Sequence, residues 1–156
     1  MVKVKKLLAP TDYSDLSCVG LHRAFENARE LGAELIVLHV VSINDDWSSK
    51  HEELSPVRNL MVEQKEFLDK FLRGKFADLM NLVEVRQKVE LGTAYANIVA
   101  LADREGVDLI VMSTHGRTGL EHVLLGSVTE KVIAHASCPV LAIPTPKSDV
   151  ALRKVA

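Results

Sequence analysis

Cysteine is scarce in this chain of 156 residues, where Cys18 and Cys138 are the only two. Neither has metal-ligand spacing, which argues against a zinc site, and so few cysteines argue against a disulfide framework. We expect no disulfide between them. Both suit small apolar residues of a protein in a reducing compartment.

The sequence also lacks a long apolar run and an excess of either charge. No run is long enough to span a bilayer. A net charge of −2 gives no electrostatic argument for nucleic acid or an anionic membrane as a partner. The N-terminus is basic and then apolar, like a signal peptide, but its apolar part is short and ends at Pro10. We therefore expect a strand there and a cytoplasmic protein.

Two widespread nucleotide-binding motifs are absent. The chain has no Gly-x-x-x-x-Gly-Lys-Ser/Thr loop, and no Gly-x-Gly-x-x-Gly follows the first apolar run. Their absence argues against a motor-like ATPase and against a dinucleotide-dependent oxidoreductase. No nucleophile and base stand in a pattern typical of covalent catalysis either, which favours a binding protein over an enzyme.

The chain does contain a regular alternation of short apolar runs and longer amphipathic stretches. The short runs predict five strands, at residues 4–9, 34–41, 82–91, 108–112 and 139–144. Helical spacing predicts four helices: Leu16 to Gly32, Val57 to between Lys75 and Asn81, Thr93 to Gly106, and Ser127 to Ala136. The second helix has one apolar stripe, which includes Gln64 and Phe67. Residues 42–55, with Trp47, are predicted to form a loop, and residues 147–156 a tail after a domain of residues 1–146.

Such alternation predicts a single α/β domain, in which right-handed crossovers join a parallel sheet covered by helices on both faces. We predict the strand order 3-2-1-4-5, because the alternating charged residues of the third strand suit an edge. In that order the winding reverses between strands one and four, and ligands of open α/β sheets bind beyond the carboxyl ends of the strands at such a point. The topology thereby places Asp12, after strand one, beside residues 113–116, after strand four.

Residues 113–127 carry the pattern most typical of a binding site. The segment leaves a buried strand as Ser-Thr-His-Gly and ends in Gly-Ser at the start of a predicted helix. Glycines remove side-chain bulk, and free N–H groups at a helix N-terminus attract anions, so phosphate is the expected ligand. A second interpretation stays open, since Ser127 and Glu130 also form a capping box and Asp12 also suits the cap of the first helix.

The fifth strand predicts an assembly. It forms the other edge of the sheet, yet it is apolar and uncharged, and exposed apolar edges pair readily. We expect a two-fold homodimer in which this strand pairs with its own copy, through Val140, Leu141, Ala142 and Ile143. The alternative is that the C-terminal tail folds back and covers the edge.

Together these residues resemble the universal stress protein (UspA) family over nearly the whole chain. The resemblance is carried by Leu-Leu-Ala-Pro-Thr-Asp-Tyr-Ser, Val-Leu-His-Val, Val-Met-Ser-Thr-His-Gly-Arg-Thr-Gly-Leu, Leu-Leu-Gly-Ser-Val-Thr-Glu-Lys-Val and Cys-Pro-Val-Leu-Ala-Ile-Pro. It implies a Rossmann-like sheet of the adenine nucleotide α-hydrolase-like type.

The resemblance extends to the ATP-binding members of that family, whose motif is Gly-x-x-Gly, nine residues, then Gly-Ser or Gly-Thr. Here Gly116, Gly126 and Ser127 fit, and Ser113 stands at the first glycine. Serine is also small, so we expect a less tolerant site rather than a blocked one. The cost is larger if this position needs a positive φ.

The resemblance implies a site for ATP, ADP or AMP. A Mg²⁺ ion would accompany ATP, held mostly by phosphate oxygens and water. The resemblance also implies that Asp12 lies near the ribose or the metal-bound phosphates, that the Val40 backbone lies at the adenine edge, and that Arg117 contacts a phosphate. The residues implied in nucleotide binding are Pro10, Thr11, Asp12, Val40, Met112, Ser113, His115, Gly116, Arg117, Gly126, Ser127, Val128 and Thr129.

Three functional hypotheses remain at this point. The first is a homodimeric stress-response regulator, with at most slow hydrolysis, in which an adenine nucleotide orders residues 113–125 and alters a surface contacted by an unknown protein partner. The second is a dimeric interaction protein of the same fold that binds no nucleotide, with Ser113 marking the loss. The third is an enzyme that acts on an adenylated substrate.

Overall fold

The computed structural model of the chain describes residues 3–42, 54–116 and 124–146. Its strands are β1 (Lys6–Pro10), β2 (Glu34–Ser42), β3 (Val85–Gly92), β4 (Leu109–Ser113) and β5 (Val140–Ile143). The helices in the described ranges are α1 (Asp15–Leu31), α2 (Leu54–Met80), α3 (Ala94–Glu105) and α4 (Ser127–His135). Strands and helices alternate as predicted.

The strands form one parallel sheet in the order β3-β2-β1-β4-β5, which confirms the predicted topology. β1 and β4 lie side by side, and the chain builds outward from β1 through β2 to β3 before it returns to β4 and β5. The winding therefore reverses between β1 and β4. Their carboxyl ends mark the point where a ligand cleft is expected.

Two apolar cores cover the two faces of the sheet. Successive strand residues point to opposite faces, so Leu7 belongs to the first core and Leu8 to the second. Buried side chains of α1 and α2 complete the first core: Leu21, Phe25, Leu68 and Leu72. Buried side chains of α3 and α4 complete the second: Ile98, Leu101 and Val132. Helices thus cover both faces, as predicted.

Several predicted boundaries differ from those of the structure by one to three residues. β1 begins and ends later than residues 4–9, at Lys6 and Pro10. β3 begins at Val85 rather than at residue 82, because the Leu82 N–H donates to the Leu79 carbonyl at 3.0 Å and closes a turn after α2. The predicted loop at 42–55 is wrong at both of its ends, because Ser42 belongs to β2 and α2 begins at residue 54.

Some predictions fall outside the described residues. These are the remainder of the 42–55 loop with Trp47, the candidate phosphate contact Arg117, and the tail of residues 147–156. Within the described ranges, no helix combines the length and the apolar character that a membrane crossing requires.

β5 forms the edge of the sheet opposite β3 and pairs with β4 on its inner side. Apolar side chains are exposed both on β5 and on α4, since Leu141 is 38% exposed and Ile133 is 45% exposed. Residues beyond 146, which the alternative interpretation needs to cover this edge, lie outside the described part of the chain.

Candidate functional site

A cleft of about 760 Å³ opens at the carboxyl ends of β1 and β4, where the topology predicted it. A volume of this size is typical of small-molecule sites. Every described candidate named from the sequence lines this cleft: Pro10, Thr11, Asp12, Val40, Met112, Ser113, His115, Gly116, Gly126, Ser127, Val128 and Thr129. The structure therefore brings together residues that come from three strand ends and one helix N-terminus.

Asp12 shapes the turn between β1 and α1. Its Oδ1 accepts a hydrogen bond from the Ser14 N–H at 3.0 Å and another from the Ser14 hydroxyl. Ser14 is the N-cap of α1, since its Oγ accepts from the Ser17 N–H at 3.1 Å. The interpretation of Asp12 as the cap of α1 is therefore wrong, because Ser14 caps the helix and Asp12 positions Ser14.

The backbone of this turn is strained at Tyr13, which has a φ of 67°. Such a conformation costs about 1–3 kcal/mol in a residue with a side chain. Local contacts support it, because the Tyr13 N–H donates to Thr11 Oγ1 at 3.0 Å and its ring stacks on His39 with centroids 4.1 Å apart. His39 is itself buried, with Nδ1 2.8 Å from the Thr11 carbonyl oxygen.

Asp12 and Gly116 join the two loops at the centre of the cleft. A Cβ built on Gly116 would overlap with Asp12 Oδ2. Gly116 does not have a positive φ, so the close approach of the carboxylate, and not the backbone conformation, favours glycine there. The contact confirms that the loop after β1 lies against the loop after β4.

The N-terminus of α4 carries no side-chain cap from the described residues. Gly126 occupies the N-cap position and Ser127 is the first helical residue. The capping-box interpretation is therefore wrong, because it needs Ser127 one position earlier. The first N–H groups of α4 lack intrahelical acceptors and lie at the cleft, where their partial positive charge favours an anion.

Gly126 brings this helix end close to the loop after β4. Its N–H donates to the Thr114 carbonyl at 2.6 Å, and a Cβ on Gly126 would lie 3.0 Å from the same oxygen. The Thr129 hydroxyl adds a second link, since it donates to the Ser113 carbonyl at 2.9 Å. Thr129 thus holds α4 against the end of β4.

Ser113, at the position of the first family glycine, turns its side chain away from the loop. Its Oγ accepts from the Gly20 N–H at 2.8 Å and donates to the Leu16 carbonyl at 2.6 Å, both on α1. Among the described non-glycine residues only Tyr13 has a positive φ. The cost expected from a positive φ at Ser113 therefore does not arise.

His115 connects the same loop to the segment after β5. Its Nδ1 lies 3.0 Å from Thr114 Oγ1 and 3.2 Å from Thr145 Oγ1. The Thr114 N–H also donates to the Ile143 carbonyl at 2.9 Å. The loop that lines the cleft is therefore joined directly to the edge strand.

The backbone of Val40 faces the cleft. Leu38 is the last β2 residue paired with β1, and its carbonyl accepts from the Thr11 N–H at 2.9 Å, so the polar backbone groups of Leu38 point toward β1. Residues two apart on a strand point the same way. The Val40 N–H and C=O therefore point past the end of β1 into the cleft.

The cleft has few charged side chains among its described lining residues. Among its described lining residues Asp12 is the single carboxylate, and none is lysine or arginine. Within the described ranges, no group of three or more histidine, cysteine or acidic residues is arranged to hold a metal ion. An anionic ligand would therefore meet backbone N–H dipoles and one carboxylate.

Cys18 of α1 does not line the cleft. Burial raises the pKa of its thiol, and the nearby Lys75 opposes this only in part. The thiol therefore stays protonated near neutral pH and is not activated as a nucleophile.

Two lining residues of α2, Gln64 and Phe67, were not identified as site residues from the sequence. The predicted apolar stripe assigned Phe67 to the core, but its side chain is 52% exposed at the cleft. The one available signal was Gln64, a polar residue within an otherwise apolar stripe.

Comparison with known proteins gives consistent matches. The profile of the Universal stress protein family (Usp) matches residues 3–144. Universal stress protein MJ0531 of Methanocaldococcus jannaschii is 36% identical over 146 residues, which cover 93% of this chain and 85% of that protein. Universal stress protein MJ0577 of the same organism is 32% identical over 160 residues, which cover 91% and 96%.

Solved structures match the fold as well. The structure of MJ0577 aligns with a TM-score of 0.74 and 31% identity, covering 94% of this chain and 100% of that one. A universal stress protein in complex with cAMP aligns with a TM-score of 0.61 and 22% identity, covering 93% and 100%. These neighbours confirm the predicted Rossmann-like fold.

Proposed function

The chain belongs to the universal stress protein family, and from this premise we propose that it binds an adenine nucleotide in the cleft between the β1 and β4 loops. ATP is the first candidate, and ADP and AMP are the alternatives. The observation that carries the proposal is the meeting at one cleft of Asp12, Gly116 and the N-terminus of α4, which no described side chain caps. The protein acts as a stress-response regulator that responds to nucleotide occupancy, with slow hydrolysis at most.

The phosphates bind at the N-terminus of α4. The N–H groups of Ser127 and Val128 and the exposed Ser127 hydroxyl are the donors on offer there, because the Gly126 N–H already donates to the Thr114 carbonyl. Helix N-termini bind phosphate because unpaired N–H groups and the helix dipole both favour negative charge. The Gly126 backbone leaves room for this approach.

The adenine base binds at the end of β2. Val40 offers one N–H donor and one C=O acceptor toward the cleft, and the Watson–Crick edge of adenine presents one acceptor and one donor. The fold is known to hold such a ligand, since a universal stress protein of the same fold has been solved with cAMP.

A Mg²⁺ ion fits this donor set as a companion of the phosphates. The described lining offers one carboxylate, Asp12, and no lysine or arginine to offset phosphate charge. Mg²⁺ prefers oxygen ligands and keeps several waters, so Asp12 with phosphate oxygens would suffice. Such an ion would supply charge neutralisation, and Asp12 would hold it directly or through its waters.

The second hypothesis, a protein that binds no nucleotide, depended on Ser113. Its hydroxyl is engaged by Gly20 and Leu16 of α1, away from the phosphate loop. The departure from the family motif therefore gives no reason to expect an empty cleft.

Dimerisation through β5 is part of the proposal. The exposed Leu141 supplies apolar surface on β5, and strand pairing with a second copy would cover it. The contacts of His115 with Thr145 and of Thr114 with Ile143 offer a direct route by which nucleotide at the β4 loop alters the dimer edge.

Mass spectrometry of small molecules released from freshly purified protein tests the proposal. We expect ATP or ADP in near-stoichiometric amount, and calorimetric binding of Mg-ATP by the emptied protein. An empty protein that also gives no heat with Mg-ATP, Mg-ADP or AMP would refute the proposal. Rapid turnover of ATP, abolished in Asp12→Ala, would instead favour an enzyme.

A further inference from the structure

We propose that Gln64 and Phe67 of α2, together called the α2 wall, recognise the base of the bound nucleotide and select adenine over guanine. The inference rests on the proposed function and assigns the specificity of the same cleft. It adds a contact surface on the face of the sheet opposite α4.

The α2 wall is built from one helix face. Gln64 and Phe67 are three residues apart on α2, so their side chains are neighbours, and both line the cleft. The same lining includes the end of β2 from Val40 to Ser42. The α2 wall therefore lies beside the Val40 N–H and C=O, the groups proposed to bind the edge of adenine.

The ring of Phe67 is held in place by other aromatic rings. It meets the Tyr13 ring edge-to-face with centroids 4.6 Å apart, and the Tyr13 ring also meets Phe71 at 5.2 Å and stacks on His39. Yet 52% of Phe67 stays exposed. A half-exposed aromatic ring fixed at a cleft offers a flat apolar surface, and any of the nucleotide bases can stack on such a surface.

The two ends of the cleft fit the two ends of a nucleotide. α4, with its anion-attracting N-terminus, packs on one face of the sheet, and α2 packs on the other. A nucleotide with phosphates at α4 extends its base toward β2 and α2. Phe67 then supplies stacking, which a polyphosphate without a base cannot use.

Gln64 supplies the discrimination. A glutamine amide has one donor group and one acceptor, which pair with N7 and N6 of adenine in a bidentate arrangement. Guanine presents two acceptors, N7 and O6, at the same positions, so the glutamine oxygen would face an acceptor. The second N6 hydrogen of adenine stays available to the Val40 carbonyl.

Calorimetric titration of the full chain tests the α2 wall, with Mg-ATP, Mg-GTP and Mg-tripolyphosphate as probes. We expect Phe67→Ala to weaken Mg-ATP by about tenfold or more, because base stacking is worth about 1–3 kcal/mol, while tripolyphosphate changes by less than about twofold. Phe67→Tyr should restore Mg-ATP binding. Gln64→Ala should lower the ATP-to-GTP affinity ratio by about tenfold.

Val62→Ala is the matched control, since Val62 is 51% exposed on the same helix and does not line the cleft. Thermal melts of each variant check the fold. The proposal is overturned if Phe67→Ala leaves Mg-ATP unchanged, or weakens tripolyphosphate equally, or if Val62→Ala reproduces its effect. If the wild-type protein binds tripolyphosphate as tightly as ATP, base recognition by the α2 wall is refuted and the phosphate site stands. If it binds neither, the proposed nucleotide site itself is refuted.

Discussion

Gly20 on α1 donates its backbone N–H to the Ser113 hydroxyl at 2.8 Å, and the two residues are in close contact. A Cβ on Gly20 would lie 2.5 Å from the Ser113 backbone nitrogen. The same hydroxyl donates to the Leu16 carbonyl. It therefore bridges the Gly20 N–H and the Leu16 C=O, which would bond directly to each other in a regular α-helix. The side chain missing at Gly20 makes room for the one present at Ser113.

Ser113→Gly restores the family glycine and separates stability from binding. Two hydrogen bonds to α1 are lost, each worth about 1 kcal/mol, so the free energy of unfolding should fall. Affinity for Mg-ATP should change by less than about twofold, because no group that faces the phosphates is altered. Denaturant titration and calorimetry measure the two quantities. A large gain in affinity would show that serine weakens the site.

Gly20→Ala should destabilise the protein by about 1–3 kcal/mol, because the added methyl group meets backbone atoms of β4 that cannot rotate away. Gly74→Ala is the control: nothing lies within 4 Å of a Cβ there, and alanine favours the helix by up to about 1 kcal/mol. Denaturant titration of both variants measures the change. Equal stability of the two variants would contradict the close packing of α1 on β4.

The topology could be predicted because strand–helix alternation leaves few arrangements, and the approach of Asp12 to Gly116 followed from it. The contact between Ser113 and Gly20 could not be predicted, because 93 positions separate the two residues and the sequence around one gives no indication of the other. The Ser127 capping box failed because capping depends on a shift of one residue, which sequence patterns do not resolve. Phe67 was misassigned because helical spacing alone does not distinguish a core stripe from a cleft lining.

Gly116→Ala should displace the Asp12 carboxylate, since the new methyl group would overlap with its Oδ2. We expect Mg-ATP affinity to fall by about tenfold or more, because both the loop and the carboxylate move at the phosphate site. Calorimetry measures the loss, and Gly74→Ala again serves as the control for an added methyl group. Unchanged affinity would exclude the contact between the two loops from binding.

Asp12→Asn should reveal whether the carboxylate acts through a metal ion. The wild-type protein should bind ATP more weakly in EDTA than in Mg²⁺, because the described cleft offers no cationic side chain to the phosphates. The asparagine variant should lose most of this Mg²⁺ dependence, since a neutral amide is a poor magnesium ligand. Titrations of both proteins in Mg²⁺ and in EDTA give the comparison. A variant with the full Mg²⁺ effect would remove Asp12 from the metal site.

Leu141→Lys should disfavour the proposed dimer. In a two-fold pairing of β5 the new lysine comes close to its own copy, so apolar burial is replaced by charge repulsion at one edge. We expect the dimer dissociation constant to rise by about tenfold or more, measured as molar mass by light scattering over a concentration series. Val62→Lys places the same charge on an apolar residue of α2, 51% exposed and away from β5, and should leave the molar mass unchanged. If Leu141→Lys is still a full dimer, β5 is not the interface.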